Sequence, residues 1–576
     1  MARRQRRKKR SSRLTPEQKR ARKIQRDHRK EIRAVFTTVG FTRISSASDR
    51  EIIFRETKSD FDDLFIFENV IALVEYTTAQ ESDVSAHLKH KKVFFDKILG
   101  HPKTFVEFLN GNNAEFRRQR NTDYTDSQMK TVIVYCSRNT IKKSLKQEVP
   151  GLTYLDFRIA KYFKAVTSAI KQSARYEFFC FLGLSSRDVG QNVISPTTAE
   201  HKEYAGSILP EEASHFRKGY KVASFYVDPE ALLSRCYVLR QDRWEEPSNL
   251  YQRMILKSKI EAIRKYLLED KRVFINNIIV TLPSSTELFD SRGRPIDPSS
   301  INKTSPVNIR LPSEYNSIGL VDGQHRVYSY YEGGPNEDKI RKLRIQQNLL
   351  ATGIIYPTSI SSNERTKFEA KLFLEINANQ TNAKSEVKQA IGLLLNPYSP
   401  ESIAKDVVNR LNDSGPLFGQ FERYFFEKGK LKTTSVVSYG IRHVAKLGGE
   451  DSLFKTWPNR NKARLERQSD IDLREKYVEY CVQQINVLMG AVRSVLPKAK
   501  WTSNKKVGGL LTTTNINGFI VCLRKIIERG HVHKFEYYRR KLVELQKFKF
   551  EEYHSSQYGR MGEELYKTYF SRTHSA

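Results

Sequence analysis

Two apolar runs near the N-terminus, separated by only two residues, constrain the fold of this chain most strongly. Residues 61–67 and 70–77 each have the length and composition of a strand, and the Glu68-Asn69 step between them predicts a tight hairpin. The spacing of apolar side chains predicts a helix over residues 15–39 before the hairpin and another over 84–99 after it. The region is therefore expected to form a mixed α/β domain.

Further strands are predicted on both sides of the hairpin. One strand region, 40–44 together with 52–56, precedes it, and the apolar segment 131–136 predicts a buried strand after the second helix. The expected order of elements is α-β-β-β-α-β.

Two acidic residues of the hairpin are candidate metal ligands. Asp63 begins the first strand and Glu75 lies late on the second, so the two carboxylates can converge on one divalent cation, with Asp62 as the alternative to Asp63. Hard ions such as Mg²⁺ or Mn²⁺ prefer carboxylates together with water and phosphate oxygens, and a bound ion can activate water. Glu31, on the preceding helix, is a candidate accessory acid.

The element order and the two carboxylates resemble the PD-(D/E)XK family of restriction-endonuclease-like nucleases over residues 30–140. The resemblance implies that Asp63 is the motif aspartate and Glu75 the motif glutamate. The family places a lysine two residues after the glutamate, on the same face of the strand, but here that residue is Thr77. Either the site is inactive or its cationic group comes from another element.

The helix over residues 84–99 supplies a candidate for the missing lysine. His87 and Lys91 lie on its apolar stripe, one turn apart, and a lysine on a face that packs needs a partner. The resemblance allows Lys91 to be a relocated catalytic lysine, with His87 assisting. The alternative is that Lys91 forms a salt bridge in a degenerate domain that only binds DNA.

The segment DGQHR in the middle of the chain is a second candidate site. Residues 317–321 are typical of a buried strand and 327–332 of the first turns of a helix, so the segment lies on a strand-to-helix turn, where backbone N–H groups favour an anion. Glycine lets the backbone approach a phosphate, arginine can clamp it, and histidine can donate to it. The candidate residues are Asp322, Gly323, Gln324, His325 and Arg326. The alternative is that the aspartate only caps the helix.

Four ordered motifs resemble the DGQHR-domain family, which includes the DNA-sulfur-modification regulator DndB. They are YQRM at 251–254, NNIIVTLP at 276–283, VDGQHR at 321–326 and FLEINANQT at 373–381. The resemblance runs from about residue 220 to the C-terminus, and it implies a ParB/sulfiredoxin-like α/β module that binds a nucleotide (an NTP) or another phosphate.

Other polar residues of these motifs are candidates for the same pocket. They are Gln252, Arg253, Asn377, Asn379 and Gln380. For Asn377 the alternative is a helix C-cap. The chain has no GxxxxGK[ST] segment, which excludes P-loop chemistry.

Charge indicates the class of partner. The formal net charge is +34, and residues 1–33 contribute +13 of it, from 16 Lys or Arg and three acids, so the rest of the chain carries +21. A basic surface of this size attracts polyanions, with DNA as the expected partner and RNA as the alternative. The N-terminal sequence lacks the apolar segment of a secretory signal, and no stretch is apolar enough for a membrane span. Five cysteines without CxxC spacing fit a reducing cytoplasm.

Together these patterns predict five segments. They are a basic arm and helix (1–29), a restriction-endonuclease-like domain (30–150), a helical connector (151–219), the DGQHR module (220–385) and a helix-rich C-terminal region (386–576). The expected function is DNA processing in prokaryotic defence or modification-linked restriction, as a homo-oligomer or with partner proteins. The alternative is a non-catalytic, DndB-like DNA-binding regulator.

Overall fold

The chain folds into two compact units, each containing its own core. The computed structural model describes residues 15–79, 81–194, 202–240, 243–244, 252–380, 385–424, 426–427, 429–504 and 507–571. The first unit is Met1–Val238 with Ile255–Ile360, and the second is Leu239–Met254 with Ser361–Ala576. Most of the predicted basic arm, residues 1–14, lies outside the described residues. The expected mixed α/β fold class is confirmed at this coarse level.

The first unit contains strands and helices in alternation. Its strands are β1 (Thr42–Arg43), β2 (Ile52–Phe54), β3 (Thr57–Ser59), β4 (Asp63–Phe67), β5 (Val70–Thr77), β6 (Lys130–Ser137), β7 (Thr153–Leu155), β8 (Glu203–Leu209), β9 (Lys221–Val227), β10 (Cys236–Tyr237), β11 (Ile278–Leu282), β12 (Glu287–Phe289), β13 (Ser305–Arg310), β14 (Ile318–Asp322) and β15 (Leu349–Ile355). Its helices are α1 (Pro16–Thr38), α2 (Glu81–Gly100), α3 (Pro102–Asn112), α4 (Ala114–Gln119), α5 (Lys143–Glu148), α6 (Phe157–Ile170), α7 (Arg175–Phe181), α8 (Gln191–Ile194), α9 (Glu211–Ser214), α10 (Pro229–Arg235), α11 (Lys257–Asp270), α12 (Gln324–Tyr328) and α13 (Glu337–Gln346).

A five-stranded sheet of order β1-β4-β5-β6-β7 organises the N-terminal part. The predicted hairpin is confirmed, because β4 and β5 pair antiparallel, and β6 and β7 then add in parallel. The predicted strand over residues 52–56 does not join this sheet. Its β2 pairs locally with β3 across a turn in which Arg55 and Glu56 both have positive φ, so a separate small hairpin forms. The start of the predicted helical connector is also a strand, β7.

Helices cover both faces of this sheet. Leu64 and Leu73 share a buried cluster with Leu88 of α2, on one face. On the other face, Phe36 of α1 stacks on Phe65, with ring centroids 4.5 Å apart. The two faces of the sheet therefore have different neighbours. The groups that a strand carboxylate meets depend on the face to which it points.

An eight-stranded sheet of order β10-β14-β11-β15-β9-β8-β13-β12 forms the rest of the first unit. The predicted strand before DGQHR is β14, between β10 and β11. The predicted helix over 327–332 is wrong in extent, since α12 begins at Gln324 and ends at Tyr328. Beyond Tyr328 the chain leaves the helical path, and Arg264 stabilises the turn by donating to the carbonyls of Ser329 and Tyr331, at 3.1 and 2.8 Å.

The second unit is helical in its described residues from 361 onwards, as the sequence predicted for the C-terminal region. Its helices are α14 (Ser362–Gln380), α15 (Ser385–Leu395), α16 (Pro400–Asp413), α17 (Thr433–Val436), α18 (Arg442–Val444), α19 (Leu453–Thr456), α20 (Lys462–Glu466), α21 (Ile471–Val495), α22 (Thr513–Glu528), α23 (Phe535–Lys541) and α24 (Tyr558–Tyr569). Residues of α16, α21 and α22 share its core, among them Val407, Ile485 and Leu523. Throughout the described residues of the chain, each helix is too short or too polar to cross a membrane.

The side chain of Asn69, in the hairpin turn, leads to a prediction about stability. Its side chain is fully buried, donates to the carbonyls of Gln128 and Asp188 at 2.9 Å each, and accepts from the N–H of Gly190 at 2.9 Å. Asn69→Ala should lower the free energy of unfolding by about 2 kcal/mol or more, because it leaves buried backbone groups unpaired. Hydrogen exchange of peptides from β4 and β5 would measure the loss.

The control for this change is Asn112→Ala, which removes an exposed asparagine that bonds only to its own helix. It should change the free energy of unfolding by less than about 0.5 kcal/mol. Equal effects of the two substitutions would contradict a structural role for the Asn69 side chain.

Candidate active site

The register of the hairpin decides which aspartate meets Glu75. Asp63 pairs with Val74, so the next position outward places Asp62 opposite Glu75. Directly opposed residues of an antiparallel pair share a face, and successive residues of a strand alternate between faces. Asp62 and Glu75 therefore share one face of the sheet, and Asp63 points to the other.

Both carboxylate oxygens of Asp63 accept hydrogen bonds from donors on its own face of the sheet. Arg33 Nε lies 2.6 Å from Asp63 Oδ2, Arg43 Nε lies 2.5 Å from Oδ1, and Tyr76 Oη donates to Oδ2 at 2.8 Å. Burial would raise the pKa of Asp63, but these three hydrogen bonds outweigh it and lower the pKa. Asp63 therefore does not face Glu75, and the candidate ligand beside Glu75 is Asp62, the alternative considered from the sequence.

Lys91 contacts the hairpin carboxylate Glu75, as its position on the apolar stripe of α2 predicted. Its Nζ lies 3.2 Å from Glu75 Oε2 and 2.6 Å from Asp60 Oδ1, and both Lys91 and Glu75 are buried. Burial opposes the charged ammonium, but the ion pairs with Glu75 and Asp60 are stronger and raise the pKa of Lys91. Lys91 is therefore a charged, fixed donor at the site, although it does not reach Asp63.

His87 extends the same cluster. Its Nε2 lies 3.4 Å from Glu75 Oε1, and its Nδ1 lies 3.1 Å from Tyr135 Oη. Thr77, which stands where the related family has lysine, hydrogen-bonds with the Tyr135 side chain. Thr77 thus joins the cluster through a neutral hydroxyl. The positive charge of the cluster comes from Lys91 of α2.

Asp62 carries an unusual proton affinity. Burial, and next the charge of Glu75, raise the pKa of Asp62 to about 7, although the Tyr76 N–H donates to its Oδ2 at 2.7 Å. Arg29 of α1 also binds Asp62, and it reaches Asp49 at 2.8 Å. Two carboxylates that lie close together repel each other, so one of them resists ionisation. A cation bound there can neutralise this concentration of negative charge.

Asp62 and Glu75 are the two carboxylates on this face that could hold a divalent cation. The described residues contain no group of three or more His, Cys, Asp or Glu side chains arranged for a metal. Mg²⁺ commonly uses one or two carboxylates and takes its other ligands from water and substrate phosphate, so a two-carboxylate site is compatible with that ion. Glu31, the candidate accessory acid, is instead bound by Lys161 at 2.7 Å and Lys164 at 3.5 Å.

The DGQHR turn has the expected tight geometry. Gly323 lies between β14 and α12 with φ +95°, and an added Cβ would lie 2.6 Å from Cγ2 of Ile278, so only glycine fits without rearrangement. Arg326 Nη2 donates to Asp322 Oδ2 at 2.8 Å, and Arg326 Nε is buried with no hydrogen-bond partner among the described residues. Nε2 of His325 accepts from the N–H of Leu256 at 3.2 Å. Gln324 begins α12 and is half-buried.

The other residues predicted for this pocket belong to the second compact unit. Gln252 is buried, and its N–H donates to the Leu239 carbonyl at 2.8 Å; Arg253 follows it in the chain. Asn377 lies within α14, where its Nδ2 donates to the Phe373 carbonyl at 2.8 Å, so it does not cap the helix. The side chains of Asn379 and Gln380 lie outside the described residues.

Sequence reasoning missed the arginines of α1. Arg29 and Arg33 are spaced i, i+4, next to the buried stripe that contains His28 and Ile32. That spacing aims both guanidinium groups along the edge of the packed face, towards the start of β4. The pattern could have identified both residues as partners of hairpin carboxylates.

The raised pKa of Asp62 leads to a prediction about how stability depends on pH. Its ordinary value is 3.8, so between about pH 4 and pH 7 the unfolded chain loses this proton while the folded chain keeps it, and the free energy of unfolding falls as pH rises. Asp62→Asn should therefore match wild type near pH 4 and exceed it in stability by about 4 kcal/mol near pH 8. Hydrogen exchange of β4 and β5 peptides across this pH range would measure the difference.

Asp49→Asn is the matched control, because it removes the other, more exposed carboxylate that binds Arg29. Its stability difference from wild type should not grow with pH in the same way. A constant difference between Asp62→Asn and wild type across the range would contradict the raised pKa.

Comparisons with known proteins do not extend this assignment. No protein-family model, curated protein or solved structure matches the chain. The resemblances to PD-(D/E)XK nucleases and to the DGQHR-domain family therefore stay predictions that rest on the quoted residues.

Proposed function

We propose that this protein binds DNA and that its N-terminal domain hydrolyses phosphodiester bonds with a divalent cation held by Asp62 and Glu75. The observation that carries the proposal is the group formed by half-buried Asp62 with buried Glu75 and Lys91, in which two acids and one fixed ammonium lie at the end of a strand hairpin. This is the residue chemistry of a metal-dependent nuclease, with the lysine supplied by α2.

Each residue has a defined task in this proposal. Bound Mg²⁺ or Mn²⁺ supplies a polarised water and neutralises charge on the phosphodiester. Lys91, fixed by Glu75 and Asp60, directs a positive charge at the scissile phosphate, as a preorganised donor does. His87 hydrogen-bonds with Tyr135 and contacts Glu75, so it holds the orientation of that carboxylate.

The proposal assigns the DGQHR turn to phosphate or nucleotide binding, coupled to the nuclease, as in modification-linked restriction or prokaryotic defence. Gly323 allows a close backbone approach, and the half-buried Arg326 has a buried Nε with no hydrogen-bond partner among the described residues. Among the described residues, Arg326 binds Asp322 through one Nη, and an arginine can exchange such a partner for a phosphate oxygen. DNA is the expected polyanion of the whole protein because of the net charge of +34.

A non-catalytic DNA-binding regulator is the second candidate function. The specific observation in its favour is that Asp62, Asp63 and Glu75 already have cationic partners. These are Arg29 for Asp62, Arg33 for Asp63 and Lys91 for Glu75. Such a cluster can be purely structural.

Cleavage of plasmid DNA tests the nuclease. With Mg²⁺ or Mn²⁺ present, Glu75→Gln and Asp62→Asn should each lower the cleavage rate by at least about a hundredfold, because each removes a metal ligand. Asp96→Asn is the control, since it neutralises an exposed acid of the same domain that binds Lys92. Unchanged cleavage in Glu75→Gln would overturn the site, and binding without any cleavage by wild type would favour the regulator.

Isothermal titration calorimetry with ATP, GTP and inorganic phosphate tests the DGQHR turn. Arg326→Ala should weaken binding by about tenfold or more, because it removes a charge-assisted hydrogen bond to phosphate. The control Arg294→Ala removes an exposed arginine that pairs with Asp290. Equal binding by wild type and Arg326→Ala would contradict the assignment of the turn.

A further inference from the structure

The second compact unit contains a large cleft that neither candidate site uses. Its volume is about 1300 Å³, and its walls come from residues 429–432 before α17, the loop before α22, the first turn of α22 and the segment before α24. Drug-sized ligands occupy pockets of roughly 300–1000 Å³, so this cleft suits a longer or larger ligand.

Lysines dominate the charge of the cleft. The described wall contains five lysines and two glutamates, Glu422 and Glu551. Three of the lysines pair with nearby glutamates. Lys432 and Lys500 are exposed and make no ion pair with the described residues. Lysine is a flexible point charge, which suits contact with successive phosphates better than recognition of one fixed group.

Aromatic rings line the same cleft as these lysines. Phe548 and Tyr553 both line the cleft, are half-buried, and stack on each other with ring centroids 5.6 Å apart and an interplanar angle of 8°. Arg560 lies 5.6 Å from the centroid of Tyr553. Flat rings next to positive charges are the combination on which unpaired bases stack while their phosphates are neutralised.

The lysine-bearing wall is held in place by its own contacts. The N–H of Leu510 donates to the Lys500 carbonyl at 2.8 Å, and Trp501 Nε1 donates to the Pro416 carbonyl at 3.0 Å. An added Cβ on Gly509 would lie 2.2 Å from the Thr502 carbonyl, so the turn closes only with glycine. A preorganised wall reduces the ordering that a ligand must impose when it binds.

We infer that this cleft binds single-stranded nucleic acid. The volume, the lysines without acidic partners and the stacked aromatic pair together favour a short unpaired strand over a mononucleotide or an acidic peptide, because an acidic peptide would have no use for the stacking surface. The inference does not depend on the proposed nuclease, since each residue that carries it lies in the second unit.

Fluorescence anisotropy of the full-length protein with labelled oligothymidylate and oligouridylate, in EDTA, tests the inference. Lys432→Glu combined with Lys500→Glu should weaken binding by about tenfold or more at moderate salt and should make the dependence on salt shallower by about one unit of log slope. The matched control is Lys388→Glu with Lys476→Glu, which makes the same change of charge on exposed lysines of α15 and α21.

A second variant tests the aromatic pair separately from charge. Tyr553→Leu keeps an apolar side chain but removes the ring, and it should weaken binding of both oligomers by about tenfold with an unchanged salt slope. A preference between the two oligomers would identify DNA or RNA as the natural strand. Tyr553→Leu also guards against a purely electrostatic explanation.

Several outcomes would overturn the inference. These are equal losses in the two double variants, tighter binding of duplex than of single strand, and binding of an acidic peptide as tight as that of the oligomers. The assay is run in EDTA and measures binding alone, which keeps its result distinct from the outcome of the cleavage assay.

Discussion

The antiparallel register of β4 and β5 determines the chemistry of the N-terminal domain. With Asp63 opposite Val74, one face of the hairpin receives Asp62 and Glu75 and the other receives Asp63. A shift of one residue would exchange these faces and leave buried acids without their partners. The two helices complete the arrangement, because α1 brings Arg29 and Arg33 to one acid each and α2 brings Lys91 to Glu75.

The elements that depend on local patterns were predictable from the sequence. The helix α1, the β4–β5 hairpin, the strand β14 and the helical C-terminal region all follow from periodicity and turn residues. The contact of Lys91 with Glu75 was also predictable, because a lysine on a packing face needs a carboxylate. These predictions succeeded because the pattern within one stretch of chain, or the character of one side chain, is enough to determine each feature.

The errors arose where two distant segments decide the outcome together. The register of the hairpin places Asp62, and not Asp63, on the same face as Glu75. This register depends on the pairing of two strands, which the sequence of one strand does not encode. Likewise, the turn that follows α12 is bound by Arg264, which lies more than sixty residues earlier in the chain. The segment at β2 looked like a core strand, but the positive φ angles of Arg55 and Glu56 fold it onto β3.

The close approach of Gly323 to Ile278 has a consequence for how this protein can evolve. A side chain at position 323 would overlap Cγ2 of Ile278, and φ at that position is +95°. A smaller residue at position 278 would remove the overlap but not the strain of the positive φ. Among natural variants of the chain, position 323 should therefore stay glycine even where position 278 becomes smaller, and β-branched residues should be absent from it in every background.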